Sequence, residues 1–169
     1  VTLVGRGSRV ATSIGGTLTG RGADLIIIDD PLKPADAMSE SKREGANDWY
    51  RSTAVSRIND KRTGAIIIVT QRLHARDLVG HVLEAAPGEW TVLNLPAIAT
   101  CDEVIQIGPN RIFRRAAGDI LHPQREPRSV LEQLRRDIGA DAFEAQYQQE
   151  PVPPGGAMFK RKWLRRYGA

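Results

Sequence analysis

The most pronounced hydrophobic pattern in the chain is an uninterrupted apolar run, Leu25 to Ile28, that stops abruptly on two carboxylates. A second apolar run, Ala65 to Val69, ends on three polar residues. Between them, Ala35 to Ile58 has the looser apolar spacing that is typical of an amphipathic helix. Continuous apolar runs of this length indicate strands buried on both faces, and a helical crossover between them makes the strands parallel. The pattern therefore predicts a βαβ unit whose two strands end at the same edge of a parallel sheet.

Shorter patterns predict the remaining elements of the chain. Strands are expected at Ser8–Ile14 and Trp90–Leu95, and a hairpin is expected where Val104–Ile107 and Arg111–Arg114 flank a Gly-Pro-Asn turn. Helices are expected over residues 77–86, 127–138 and 141–149, because each range combines apolar periodicity with a capping residue, proline or glycine at its ends. Alternating strands and helices predict an α/β fold.

A proline- and glycine-rich segment divides the chain near its end. Residues 151–157 are expected to be a linker between a domain at 1–150 and the first element of a second domain at 158–169. In that last stretch, aromatic and apolar residues alternate with lysine and arginine. Such a pattern is equally compatible with nucleic-acid binding and with a strand or helix whose packing partners lie elsewhere.

Composition and charge narrow the class of partner. The formal net charge is +4, and residues 109–169 hold 12 basic and 7 acidic side chains. This excess suggests an anionic partner such as nucleic acid. A single cysteine, Cys101, excludes an internal disulfide, and no run approaches the length of a membrane span. The sequence starts without methionine and stops just after a new apolar and basic stretch begins, so we expect a fragment of a longer protein.

The two carboxylates, Asp29 and Asp30, carry the candidate chemistry. Ligands bind at the carboxyl edge of open α/β sheets, and adjacent carboxylates there suit a hydrated Mg²⁺ beside a nucleotide phosphate. This is the arrangement of a Walker B element. A structural alternative is that Asp30 caps a helix with Pro31 at its first position, and both interpretations can hold with Asp29 on the metal. No Gly-Lys pair occurs in the sequence, so a phosphate-binding P-loop is expected upstream.

Together, four stretches of the chain resemble the large terminase subunit of tailed bacteriophages and prophages. That family is the ATP-driven motor and nuclease that packages DNA into procapsids. The stretches occur in the family's order and cover nearly the whole chain: residues 15–31, Ile66 to His74, Gly118 to Pro123, and Ala145 to Gln149 continuing through Met158-Phe159.

The resemblance implies a fold and a set of cofactors and partners. The fold would be part of a P-loop NTPase-type parallel sheet flanked by helices, then a linker and the start of an RNase H-like nuclease domain. The P-loop would precede Val1 and the nuclease acids would follow Ala169. ATP and Mg²⁺ would be the cofactors, in a homo-oligomeric ring that contacts double-stranded DNA, the portal protein and the small terminase subunit. The motor would work in the host bacterial cytoplasm at the procapsid portal, with no membrane involved.

The resemblance also implies roles for individual residues. Asp29 would be the Walker B carboxylate that binds Mg²⁺, and Asp30 would activate the hydrolytic water. Many such motors have glutamate at the second position, so Asp30 must reach the water with a shorter side chain.

Three further residues would form the coupling motif, which senses the γ-phosphate and transmits hydrolysis to the parts that grip DNA: Thr70, Gln71 and Arg72. Arg21, in the loop before the strand, would contact phosphate or a neighbouring subunit, or would serve only in a turn.

Two other functions are compatible with the same residues. One is a metal-dependent nuclease that uses Asp24, Asp29 and Asp30 directly, although Asp24 lies about 16 Å from Asp29 at roughly 3.3 Å per strand residue. The other is a non-catalytic nucleic-acid-binding remnant of a decayed prophage. A Gly-Lys-Ser/Thr loop upstream would favour the motor.

Overall fold

A computed structural model describes residues 3–4, 7–16 and 20–152 of the chain. These residues form a mixed α/β structure with a small parallel sheet and a separate antiparallel sheet, flanked by helices. The chain divides into two compact units, Val1–Thr70 and Gln71–Ala169. Most of the predicted linker, and all of the predicted second domain at 158–169, lie outside the described residues.

The first unit contains the predicted parallel pair. After a minimal hairpin of β1 (Leu3–Val4) and β2 (Gly7–Ser8), the chain enters β3 (Leu25–Asp29) and later β4 (Ala65–Val69). β3 and β4 pair parallel and in register, from Leu25 opposite Ala65 to Asp29 opposite Val69. The predicted βαβ arrangement of these two strands is confirmed.

The crossover between these strands is helical but broken into pieces. A 3-10 turn at Pro34–Asp36 precedes helix α1 (Glu40–Trp49), which Ser39 caps by accepting a hydrogen bond from the Lys42 amide. The helix continues through a π-helical turn, Tyr50–Ala54, and a 3-10 turn, Val55–Arg57. The sequence predicted one helix over Ala35–Ile58, and the helical character of the region is confirmed.

The two faces of the parallel sheet differ, which corrects the expectation that both are buried. Ile28 is only 5% exposed, whereas the side chains on the opposite face remain open to solvent, with Ile27 61% exposed. Alternate strand residues point to opposite faces. The register therefore gathers the exposed apolar residues on one face: Leu25, Ile27, Ile67 and Val69.

The second unit is built on three helices and a hairpin. It contains α2 (Leu78–Ala85), the antiparallel strands β5 (Glu103–Gly108) and β6 (Arg111–Arg115), α3 (Arg128–Ile138) and α4 (Ala140–Gln146). The predicted hairpin and the three predicted helices are confirmed. A core of Ala97, Leu131 and Phe143 joins α3 and α4 to the extended segment around residue 97.

Two of the predicted strands are wrong. In the range Ser8–Ile14, only Ser8 pairs, with Leu3, and residues 9–13 are exposed and irregular. Trp90–Leu95 forms no strand, and Val92 and Leu93 are exposed. A segment becomes a strand only when a neighbour completes its backbone hydrogen bonds, and among the described residues neither 9–14 nor 90–95 has such a neighbour.

No helix in the described part of the chain combines the length and the apolar character that a membrane crossing requires.

Candidate functional site

The carboxyl edge of the parallel pair brings Asp29, Asp30 and Thr70 together. Asp29 is the last residue of β3 and lies opposite Val69. The Asp30 amide donates to the Val69 carbonyl at 2.9 Å, which extends the pairing by one residue beyond the strand. Thr70 follows Val69 directly, so the end of β4 presents its polar residue beside the two acids, as the sequence predicted.

Both carboxylates at this edge are exposed and unengaged. Within the described ranges, neither Asp29 nor Asp30 makes a side-chain hydrogen bond or an ion pair. By contrast, Asp24, Asp60 and Asp77 each accept at least one hydrogen bond. Two adjacent carboxylates without a protein partner form a locally anionic edge that favours a cation.

Asp30 has an uncommon backbone conformation. Its φ is 41°, and Gln149 is the only other non-glycine residue of the described chain with a positive φ. Such conformations cost of the order of 1 kcal/mol or more and occur often at functional sites. No helix starts at Pro31, because the next helical residue is Pro34, with Lys33 as its N-cap. The structural alternative, in which Asp30 caps a helix, is therefore wrong.

The loop that follows Asp30 is held by buried groups. Leu32 and Ala37 are buried, and the Arg43 guanidinium donates to the Ala37 carbonyl at 2.6 Å. Arg43 is only 5% exposed. No signal in the sequence identified it, since a single arginine among polar helix residues has the pattern of a solvated side chain.

Arg72 is engaged in a local structure of the second unit. Its Nε lies 3.1 and 2.9 Å from the two carboxylate oxygens of Asp77, and this ion pair is largely buried. Asp77 also caps α2 by accepting from the Gly80 amide at 2.9 Å. The side chain of Arg72 thus fixes the turn between residues 72 and 77. Its predicted contact with a γ-phosphate stays a prediction, and it requires that Asp77 release or share the guanidinium.

Gln71 is half-buried and, like Thr70, takes part in interactions within the protein. Gln71 and Arg72 begin the second unit, and their roles in coupling stay predictions.

Arg21 and Asp24 lie at the opposite end of β3 from the two acids. The Ala23 backbone bridges to Ile58, with the Asn59 amide donating to the Ala23 carbonyl at 3.0 Å. The Asp24 carboxylate accepts from Asn59 Nδ2 at 3.0 Å, and Arg21 is exposed. The structure does not bring either residue to the acid edge. The predicted phosphate contact of Arg21 stays a prediction.

A divalent metal fits Asp29 and Asp30 only as part of a larger ligand set. Among the described residues, no group of three or more His, Cys, Asp and Glu side chains could hold a metal ion. Mg²⁺ usually retains several waters and takes one or two carboxylates together with substrate phosphates. The exposed oxygens of this edge match that requirement, so the pair suits a metal that arrives with a nucleotide.

In the second unit, the two other stretches that carry the family resemblance meet on one extended segment. The Leu121 amide donates to the Ala97 carbonyl, and the Ala97 amide donates to the Tyr147 carbonyl at 2.7 Å. The Gln148 side chain binds both backbone groups of Ile98, accepting at 3.0 Å and donating at 2.9 Å. Residues 118–123 and 145–149 are thus joined through residues 97–98.

Gln149 extends these contacts to the predicted coupling motif. Its Oε1 accepts from the Arg72 amide at 3.1 Å, and its Nε2 donates to the Gln146 carbonyl. The sequence did not single out this pairing, because its two residues are far apart in the chain.

Comparison with known proteins adds no family assignment: no protein-family model matches the chain, and no curated protein matches it.

Proposed function

We propose that this chain supplies the metal-binding, water-activating and coupling residues of an ATP-driven DNA-packaging motor of the large terminase type. The observation that carries the proposal is the in-register parallel pairing of β3 and β4, which puts two exposed, unengaged carboxylates beside Thr70. The four stretches of sequence that resemble the family support it independently. The phosphate-binding loop is not among these 169 residues, so the proposal requires it from elsewhere in the motor.

In this proposal each acid has a separate role in the hydrolysis of ATP to ADP and phosphate. Asp29 binds Mg²⁺, which neutralises phosphate charge when it is present. Asp30 accepts a hydrogen bond from the attacking water and takes its proton as the bond from the water oxygen to the γ-phosphorus forms. The bond from the γ-phosphorus to the bridging oxygen breaks, and ADP leaves. The positive φ of Asp30 supports a positioning role, because strained backbone conformations cluster at functional sites.

Substitution of the two acids separates their roles, provided that ATP hydrolysis is measured with the Gly-Lys-Ser/Thr loop present. We expect Asp29→Ala to abolish turnover because the metal loses its anchor at the end of the strand. We expect Asp30→Asn to retain nucleotide binding but to lose at least about 10²-fold in rate, the usual scale for a positioned base. Both measurements need Mg²⁺-ATP hydrolysis rates and nucleotide affinities for each variant.

Three outcomes would contradict the proposal in different ways. Near-normal turnover of Asp29→Ala would remove Asp29 from the metal site. Equal loss of nucleotide binding in both variants would contradict the division of roles. Hydrolysis by the 169-residue chain alone, abolished by Asp29→Ala, would show that a complete ATP site exists without an added phosphate-binding loop.

The alternative nuclease loses support from the position of Asp24. A nuclease metal shared by Asp24 and Asp29 would need both at one end of β3, whereas the strand separates them and Asn59 engages Asp24. The non-catalytic remnant predicts DNA binding without ATP hydrolysis, and the same rate measurements distinguish it from the motor.

A further inference from the structure

The β5–β6 hairpin is firmly anchored at its base. Arg115 is only 4% exposed, and it donates to the Glu103 carboxylate at 3.1 Å and to the carbonyls of Pro96 and Asp119. Two more acids hold the chain that leaves the hairpin, since Asp102 accepts from the Ala117 amide and Asp119 from the Ala116 amide. All three carboxylates near the hairpin are thus used at its base.

Beyond this base the hairpin carries only positive charge. No acidic residue occurs between Val104 and Gly118. Arg111 and Arg114 are exposed, and within the described residues neither guanidinium has a hydrogen bond or an ion pair. Three other exposed arginines are in ion pairs: Arg51 with Asp48, Arg62 with Asp60, and Arg135 with Glu144. We call residues 104–114 the distal hairpin.

The distal hairpin has a shape that suits a nucleic-acid groove. Residues of a strand alternate between faces, so Arg111 and Arg114 project from opposite faces and are separated along the strand by about 10 Å. The major groove of B-DNA is about 12 Å wide and admits a two-stranded β-ribbon. The turn at Gly108–Arg111 is narrow, and Ile107 and Ile112 are exposed beside it, where aliphatic side chains can contact sugars and thymine methyl groups.

We propose that the distal hairpin is a contact for double-stranded DNA, in which Arg111 and Arg114 bind phosphates on the two sides of a groove. A duplex fits better than a single strand, because single-strand recognition relies on stacking and Phe113 is the only aromatic side chain of the hairpin. It also fits better than a membrane surface, because the tryptophan and tyrosine typical of interfacial anchors are missing from these residues.

The test measures duplex affinity of the whole chain by fluorescence anisotropy over a series of salt concentrations, without nucleotide. Log affinity falls as log salt concentration rises, and each lost phosphate contact makes this negative slope shallower by about 0.9. The slope for the double variant Arg111→Ala/Arg114→Ala should therefore be shallower by about 2, and this variant should bind duplex at least about tenfold more weakly at low salt. Arg111→Lys/Arg114→Lys, which keeps both charges, should retain the slope.

A matched control removes two arginines elsewhere. Arg51→Ala/Arg62→Ala makes the same change in net charge, but these side chains are paired with aspartates of the first unit. Hydrogen bonds from Arg62 already hold the pKa of the Asp60 carboxyl below its usual range. We expect this control to keep the parent's slope. The basic residues between 160 and 166 remain in every variant, so they cancel from the comparison.

Two further measurements keep the test decisive. Thermal unfolding of the Arg111→Ala/Arg114→Ala variant should match the parent, because both side chains are exposed and unpaired in the described structure. Amide hydrogen exchange in residues 104–114 should slow when duplex is added. An unchanged slope, an equal loss in the Arg51/Arg62 control, or a preference for anionic vesicles or single-stranded DNA over duplex would overturn the proposal.

This inference builds on the proposed function, to which it adds a DNA contact in the second unit. Its failure is distinguishable from failure of the motor proposal, because the anisotropy measurement needs no ATP hydrolysis. A hairpin that binds duplex in a chain whose Asp29 variant keeps full turnover would support this inference and contradict the Mg²⁺ role. Loss of turnover in the Asp29 variant, together with an unchanged salt slope in the Arg111→Ala/Arg114→Ala variant, would support the Mg²⁺ role and contradict this inference.

Discussion

At the residue scale, the candidate site depends on how the chain leaves β3. The Asp30 amide still pairs with Val69, but the positive φ ends the strand there, and Pro31 cannot donate to any further ladder. The residue before a proline normally prefers an extended conformation, so this turn is strained twice over. A carboxylate at this position is therefore held by its backbone more than by contacts of its own side chain.

The positive φ of Asp30 predicts that glycine at this position is more stable than alanine, which is the reverse of the usual order in a strand. At a positive φ, glycine meets no penalty whereas alanine does, so Asp30→Ala should be less stable than Asp30→Gly by about 1 kcal/mol. Asp29 is the matched control, since it lies in the extended β3 strand, where glycine should be the less stable of the pair. Chemical denaturation of the four variants gives the free energies of unfolding. The same order at both positions would contradict the strained turn.

At the element scale, the sequence predicted those elements that carry their own local signals. The runs at Leu25–Ile28 and Ala65–Val69 are long enough to identify strands, and Asp77 and Gly139 mark helix ends that the structure reproduces. The two wrongly predicted strands have no pairing partner along most of their length among the described residues, and pairing is a property of the fold that a single segment does not encode. The π-helical turn at Tyr50–Ala54 likewise has no distinctive pattern.

Part of the candidate site was also predictable from local pattern. The meeting of Asp29, Asp30 and Thr70 follows from strand order and the crossover rule. The burial of Arg43 and the contact between Gln149 and Arg72 do not follow, because they depend on which distant groups need a hydrogen-bond partner.

The Gln149 contact predicts a specific change in amide protection within the second unit. Gln149→Gly tolerates the φ of 60° but removes the side chain that accepts from the Arg72 amide. A hydrogen bond of this kind stabilises by about 0.5–1.5 kcal/mol, so exchange of the Arg72 amide should accelerate roughly twofold to twelvefold. Residue-resolved hydrogen exchange by NMR measures the exchange rate of the Arg72 amide in the parent and in the variant.

Gln148→Ala provides the neighbouring control for this prediction. Its side chain binds Ile98 instead, so the Ile98 amide should exchange faster while the Arg72 amide keeps its protection. If both variants accelerate the same amides, the effect is general loosening of the region after α4, and Gln149 has no specific role in holding Arg72.

At the scale of the whole molecule, one face of the parallel sheet leaves its apolar side chains exposed to solvent. Leu25, Ile27, Ile67 and Val69 form a contiguous apolar surface on two strands. Parallel sheets in known folds are covered on both faces, and two strands rarely suffice for an independent sheet. An apolar surface of this kind favours contact with other protein.

The exposed face predicts that the 169-residue chain associates in solution, and a pair of adjacent substitutions tests the cause. Ile27→Thr keeps a β-branched residue on the exposed face, so it should change the free energy of unfolding by less than about 0.5 kcal/mol while raising the monomer fraction. Ile28→Thr places a hydroxyl on the buried face and should cost about 2 kcal/mol or more. Size-exclusion chromatography with light scattering, over a range of concentrations, gives the monomer fraction, and denaturation gives the stability. If Ile27→Thr associates as strongly as the parent, the contact lies elsewhere on the chain, and the open face of β3 and β4 is not what brings the molecules together.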